Sequence, residues 1–236
     1  MRNTPPRSII AVEGADRAGK ATQVKKIIDY LRKCGIPAET LDYPQYDSPW
    51  GGMAGNYLHG KYGPIRELPP EYSMIPYMND RKYHHDRVVR GWLDAGKWVV
   101  FDRYSYSNIF SVAKCPKDVW EEKIQFLEKA EFEWWNLPRP DYNFYLYLPP
   151  EVSYALRNVG SKNTGDTSAE NAGADIHEKD FTLQRDVTEA YRYLTQRRPK
   201  EWSFVDQMRD GVRMPADAVF DLKIKPIIDR MIKGME

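Results

Sequence analysis

Residues Gly14-Ala15-Asp16-Arg17-Ala18-Gly19-Lys20 form the pattern G-x-x-x-x-G-K, whose chemistry is the holding of phosphate. The glycines let the backbone curl so that successive N–H groups point inward at an anion. The positive end of a following helix adds to them, and the lysine reaches the outer phosphates. The pattern departs from its full form at one place. The hydroxyl residue expected after the lysine, a Mg²⁺ ligand, is Ala21, and Thr22 comes one position late. That weakens a metal contact but not a cradle built mostly from backbone. Asp16 and Arg17 add charge inside the loop. An arginine here can lie along a transferred phosphate and neutralise developing charge; the alternative is a solvated surface pair. The other reactive residue types form no comparable set. Cys34 and Cys115 are far apart and His84-His85 adjoin on one helix, so neither a zinc nor a redox site is indicated, and the two histidines read as surface or interface residues.

Such a loop works only between a strand and a helix, and the flanking sequence supplies both. Ile9-Ile10-Ala11-Val12 is a short, continuous apolar run of the kind that suits a parallel strand covered on both faces. Val24, Ile27, Ile28 and Leu31 then recur at helix spacing, until Gly35 and Pro37 stop the helix. Further strands are expected at 38–43, 98–101, 142–148 and 203–205, with Asp102 ending the third. Helices are expected at 71–94 (kinked or late-starting at Pro76), 118–135, 178–197 and 215–232, with a short one near 53–58. Residues 158–175, rich in Gly, Ser, Asn and Ala, read as a flexible segment. Because it lies inside one alternating series, it reads as an inserted loop and not a domain linker. Strands alternating with helices predict an α/β fold with a mainly parallel sheet in a single domain, 1–236.

Composition narrows the function. The formal net charge of +1 argues against binding nucleic acid through a whole-molecule positive field. Two cysteines build no disulfide framework, and with no secretory signal in the polar start they read as reduced thiols of a cytoplasmic protein. No apolar run approaches the length of a membrane span.

With these elements in order, the sequence resembles the thymidylate (dTMP) kinases, P-loop enzymes that pass the γ-phosphate of ATP to dTMP. Glu13 to Lys20 looks like that family's E-G-x-D-x-x-G-K, in the subtype with arginine in the loop. Asp102-Arg103-Tyr104 with Ser107-Asn108 resembles its D-R-Y and S-N spacing. Tyr77 with Asn79-Asp80-Arg81 is similar to its aromatic-plus-arginine base site, and Trp202-Ser203-Phe204-Val205-Asp206 to its W-x-x-V-D late strand. The resemblance implies a P-loop kinase three-layer sandwich: a five-stranded parallel sheet, helices on both faces, and a lid insertion at about 151–180. It implies that Gly14 to Lys20, with Ala21 and Thr22, bind ATP, and that Arg17 bridges to the γ-phosphate. It further implies that Asp16 accepts from the 3′-hydroxyl of dTMP, Arg103 forks onto its phosphate, and Asp102 anchors Mg²⁺ through water. Tyr77 would stack on thymine, Arg81 donate to a base carbonyl, and Asn108, beside Ser107, read the polar edge. Core packing is the alternative for Tyr77, a surface charge for Arg81, and a structural turn carboxylate for Asp102. The resemblance also implies a homodimer, with the helices at 71–94 and 118–135 as candidate faces.

The departures from the family pattern are specific. Ser111 stands where an aromatic ring usually faces the sugar 2′ position, and Tyr46 replaces a common arginine two places after Pro44. The lid segment carries three Lys or Arg against six Asp or Glu, which agrees with a catalytic arginine kept in the loop. Asp175-Ile176-His177-Glu178 lacks the arginine of the family's D-R-x-E, leaving His177 and Glu178 as sugar-side candidates. Two other readings therefore stay open: a related kinase for dUMP, another deoxynucleotide or a nucleoside, and a nucleotide-binding protein that has lost catalysis.

Overall fold

The computed structural model describes residues 8–64, 67–160 and 180–234, with backbone alone for residues 154 and 157–160. Five strands, β1 (Ile9–Gly14), β2 (Ala38–Asp42), β3 (Trp98–Asp102), β4 (Tyr142–Tyr147) and β5 (Trp202–Asp206), form one parallel sheet in the order β2-β3-β1-β4-β5. The continuous apolar runs explain why it is covered on both sides. Successive side chains point to opposite faces, so Ile9 and Ala11 enter one core layer while Ile10 and Val12 enter the other.

Helix α1 (Lys20–Lys33) packs Val24, Ile27 and Leu31 onto the Ile10–Val12 face, joined there by Ile227 and Ile228 of the C-terminal helix. Helix α1 ends as its glycine predicts: Gly35 N–H donates to Arg32 O at 3.0 Å and Ile36 N–H to Leu31 O at 2.9 Å. The opposite face is covered by α2 (Pro49–Leu58), α3 (Pro70–His84), α4 (Arg90–Asp94), α5 (Ile109–Ala113), α6 (Trp120–Glu128) and, beyond α7 (Pro150–Gly160), α8 (Phe181–Arg197). Each fully buried Ile, Leu or Phe in these layers contributes roughly 1.5–3 kcal/mol.

Three expectations are corrected. Helix α3 runs through Pro76, and the irregularity of the 71–94 segment is a wider π-type turn at His85–Val89. His84 is no surface residue: its ring is 15% exposed, sits edge-on to Tyr43, and lies 3.3 Å from the buried Asp80 carboxylate. Residues 158–160 belong to α7, so the described start of the expected lid is helical; 161–179 lie outside the described residues. A small antiparallel hairpin, β6 (Met208–Arg209) and β7 (Val212–Arg213), follows β5. Its Asp210-Gly211 turn, with φ of 51° and 76°, is a signal the sequence does carry.

Candidate active site at the carboxyl edge of the sheet

The carboxyl ends of the central strands converge in register, with Val12 opposite Asp102, Asp42 opposite Asp102, and Gly14 opposite Leu146. In open parallel sheets this edge is where ligands bind. The 14–19 loop leaves β1 here and requires glycine at both ends. A Cβ on Gly14 would stand 2.8 Å from Leu146 O, at a φ of 155°, and Gly19 holds a φ of 84°. Between them Arg17 takes a left-handed φ of 62°. The loop delivers Lys20, 8% exposed, whose Nζ donates to Ala15 O at 2.9 Å and lies 3.9 Å from Asp16. Burial, assisted by the Arg103 charge, pushes the Lys20 amine down to about 8 against the pull of Asp16, Asp102 and Glu13. Ala21 and Thr22 are exposed in the first turn of α1. Ala15 and Ala18 complete the loop, with Ala18 buried against the Ile10–Val12 layer.

Asp102 is partly buried, and burial raises its carboxyl above the usual range despite Lys20 and Arg103. Arg103 follows in the left-handed region, φ 67°, and its Nη2 donates to Asp16 Oδ1 at 2.5 Å. Burial alone would disfavour its charge; Asp16 and Glu13 more than offset this and raise its pKa. The Asp16–Arg103 bond thus links the phosphate loop to the end of β3. Beside it opens a cleft of about 200 Å³, onto which Tyr77, Arg81, Arg103, Ser107, Asn108 and Phe110 all face.

The cleft's far end is a buried polar cluster. Arg81 is 1% exposed and pairs through Nε, at 3.1 Å, and Nη2 with the fully buried Glu131. Glu131 also accepts from Asn108 Nδ2 at 2.8 Å. Burial lifts the Glu131 carboxyl while Arg81 pulls it back. With Nδ2 committed, Asn108 Oδ1 is a buried acceptor without a partner among the described residues. Tyr77 forms the wall, edge-on to Phe110 at 5.7 Å and to Tyr57 at 6.0 Å. The loop before α2 is held by Asp80, which accepts from Gln45 N–H at 2.8 Å and Ser48 Oγ at 2.6 Å; Tyr46 of that loop lines the cleft.

The structure therefore gathers Asp16, Arg17, Tyr77, Arg81, Arg103, Ser107 and Asn108 around one cleft. Ser111 is not brought to it: the residue is buried in α5 and its hydroxyl donates to Asn108 O at 2.7 Å. His177 and Glu178 lie outside the described residues. Sequence reasoning missed the wall supplied by α8, namely Leu183, Gln184, Val187, Thr188 and Tyr191. Their helical periodicity marks a buried face but not what it faces. It also missed the contacts of α7, where Ser153 Oγ donates to Asp16 O at 2.8 Å and Arg17 to Leu156 O at 3.2 Å.

A glycine loop carrying a buried lysine, bonded to a second cationic residue at the open edge of a parallel sheet, suits the chemistry of a nucleotide kinase. Comparison with known proteins narrows the class. The family model described as thymidylate kinase matches residues 12–210. Thymidylate kinase from Mycobacterium tuberculosis is 28% identical over 189 residues, 79% of this chain and 85% of that one. The probable thymidylate kinase of Thermococcus kodakarensis is 29% identical over 85% of this chain and 90% of its own. The solved thymidylate kinase of Candida albicans shares the fold at a TM-score of 0.67, with 22% identity, covering 98% of this chain and 94% of that one. The chain belongs to the thymidylate kinase family.

Proposed function

We propose that this protein transfers the γ-phosphoryl group of ATP to dTMP, giving dTDP and ADP, with the residues gathered at the cleft in the following roles. The observation that carries the reading is the Asp16–Arg103 link, which joins the loop proposed for the donor phosphates to the arginine proposed for the acceptor phosphate. The loop amides and Lys20 hold the ATP phosphates. A lysine whose charge is disfavoured by burial gains a strong partner when phosphate oxygens arrive. Arg103 holds the dTMP phosphate, one oxygen of which attacks the γ-phosphorus as the bond to the β-phosphate oxygen breaks. Arg17 neutralises the charge that spreads over the transferring group. Asp16 accepts from the 3′-hydroxyl. Thymine packs on Tyr77, Arg81 is held by Glu131 to donate to a base carbonyl, and the orphaned Asn108 Oδ1 accepts from the ring N–H. The arginine-lined cleft suits small nucleotides and gives no reason to expect nucleic acid as a partner.

The residues fit a hydrated Mg²⁺. Among the described residues no three His, Cys, Asp or Glu side chains converge as a ligand set, so a caged ion does not suit the site, whereas an ion held by phosphates and water does. Asp102 would hold it through water, and when bound it would neutralise charge on the ATP phosphates. Exposed Tyr72 and Ile75, three residues apart on α3, support a homodimer through that face. No described helix is long and apolar enough to cross a membrane.

The test is ADP release with Mg²⁺-ATP against dTMP, dUMP, UMP and dGMP. The rate should be highest with dTMP. A dTMP rate no higher than ATP alone would refute the reading. Preference for another monophosphate would move the acceptor assignment, the outcome to which Tyr46 in the cleft wall points.

A further inference from the structure

Glu13 is the last side chain before the phosphate loop, is fully buried, and does not itself line the cleft. A carboxylate there is costly unless its lone pairs are filled, and they are. Oε1 accepts from the Tyr104 backbone N–H at 2.8 Å. Oε2 accepts from the Ser107 hydroxyl and lies 3.1 Å from the Tyr191 hydroxyl of α8, which is also 3.0 Å from Tyr106 O. The consequence lies one residue upstream of Tyr104. Arg103 N–H donates to Val12 O at 3.0 Å, so the peptide entering Arg103 is tied to the β1 backbone. The peptide leaving it is tied to the β1 side chain at Glu13. Between these ties Arg103 is held at φ 67°, a region that residues with a side chain seldom adopt. An extended Arg103 would carry its guanidinium away from Asp16.

We propose that Glu13 is the positioning residue for acceptor-phosphate recognition: by clamping the Tyr104 amide and the Ser107 hydroxyl it fixes the left-handed turn that aims Arg103 at the phosphate. The same carboxylate reaches α8 through Tyr191, so the helix that walls the cleft and the turn that carries Arg103 share one anchor. The inference rests on the reading of the cleft as a dTMP site. Tyr104 itself is pinned elsewhere, stacked on Phe101 at 4.3 Å with its hydroxyl 3.1 Å from Pro138 O, so loss of Glu13 frees the turn and not the ring.

The test compares dTMP with thymidine, which lacks the phosphate, by calorimetric titration of wild type, Glu13→Asp, Glu13→Ala and Glu13→Gln. Aspartate keeps the charge but withdraws the oxygens by one methylene. Glutamine keeps an acceptor for Tyr104 and loses the charge. The ratio of dTMP to thymidine affinity should fall roughly tenfold or more in the Asp and Ala variants, the scale of a misplaced charge-assisted contact, and stay within about threefold of wild type in Gln. A general loss of structure would weaken both ligands alike. An unchanged ratio in whichever of Asp or Ala folds overturns the proposal. An equal collapse in Gln overturns it too, since charge and not the clamp would then be the agent. If wild type itself shows no preference for dTMP over thymidine, the acceptor assignment fails, and not the role of Glu13 in shaping the turn.

Discussion

Replacing Lys20 by methionine should change how stability depends on pH, by an amount the burial of its amine sets. In the folded protein the amine titrates near 8, against 10.5 for an unburied lysine, mainly because burial penalises the charge. Below pH 8 both folded and unfolded chains carry the proton, and the folded state bears the full penalty. Between 8 and 10.5 the unfolded chain keeps the proton that the folded one has released, so stability rises with pH. Above 10.5 both are neutral and the penalty is gone. The shift corresponds to about 3 kcal/mol in all, of which about 2 kcal/mol is recovered by pH 9.5. Urea unfolding of wild type and Lys20→Met at intervals from pH 7 to 9.5 reads this directly. The hydrogen bond to Ala15 O lost in the variant offsets the two curves by a constant, and the buried tyrosines titrate in both, so only the difference between the curves matters. That difference should grow in favour of wild type by about 2 kcal/mol. A difference flat to within about 0.5 kcal/mol across this range would show a solvated, ordinary lysine and refute the electrostatic account of the loop.

Three further outcomes are expected. Glu131→Ala strands the buried Arg81 guanidinium and should cost roughly 3–5 kcal/mol, whereas Arg81→Met with Glu131→Leu should recover more than half of it in a thermal scan while dTMP affinity is lost. Arg17→Ala should lower kcat by roughly a thousandfold with ATP affinity nearly unchanged, because its charge is needed in the transition state; a rise in KM with kcat intact would mark a docking role. Ala21→Ser should lower the Mg²⁺ concentration needed for half-maximal kcat and leave dTMP affinity within about twofold; an unmoved midpoint would place residue 21 outside the metal site.

What was legible in the sequence is what contiguous residues accomplish by themselves. The phosphate loop is a single short segment whose ligands are mostly its own amides, so glycine spacing and a lysine announce it. The strands announce themselves because burial on both faces requires unbroken apolar runs, and Asp102 falls at a strand end because β3 stops there. Buried polar partners are different, since a carboxylate's neighbours depend on how distant segments pack. Glu13 meets Tyr104, Ser107 and Tyr191 across 91, 94 and 178 residues, and Arg81 meets Glu131 across 50. Without the family resemblance, residue type and spacing alone leave Arg81 open to reading as a surface charge. Ser111 lies one helical position from Phe110, and only the packing of α5 decides that the ring lines the cleft while the hydroxyl turns back to Asn108 O. Sequence alone thus marked the loop proposed for the donor phosphates, where the backbone would do the binding. Tertiary structure decided how the residues proposed for the acceptor side are held, because Glu131 against Arg81 and Asn108, and Asp16 against Arg103, come from elsewhere in the chain.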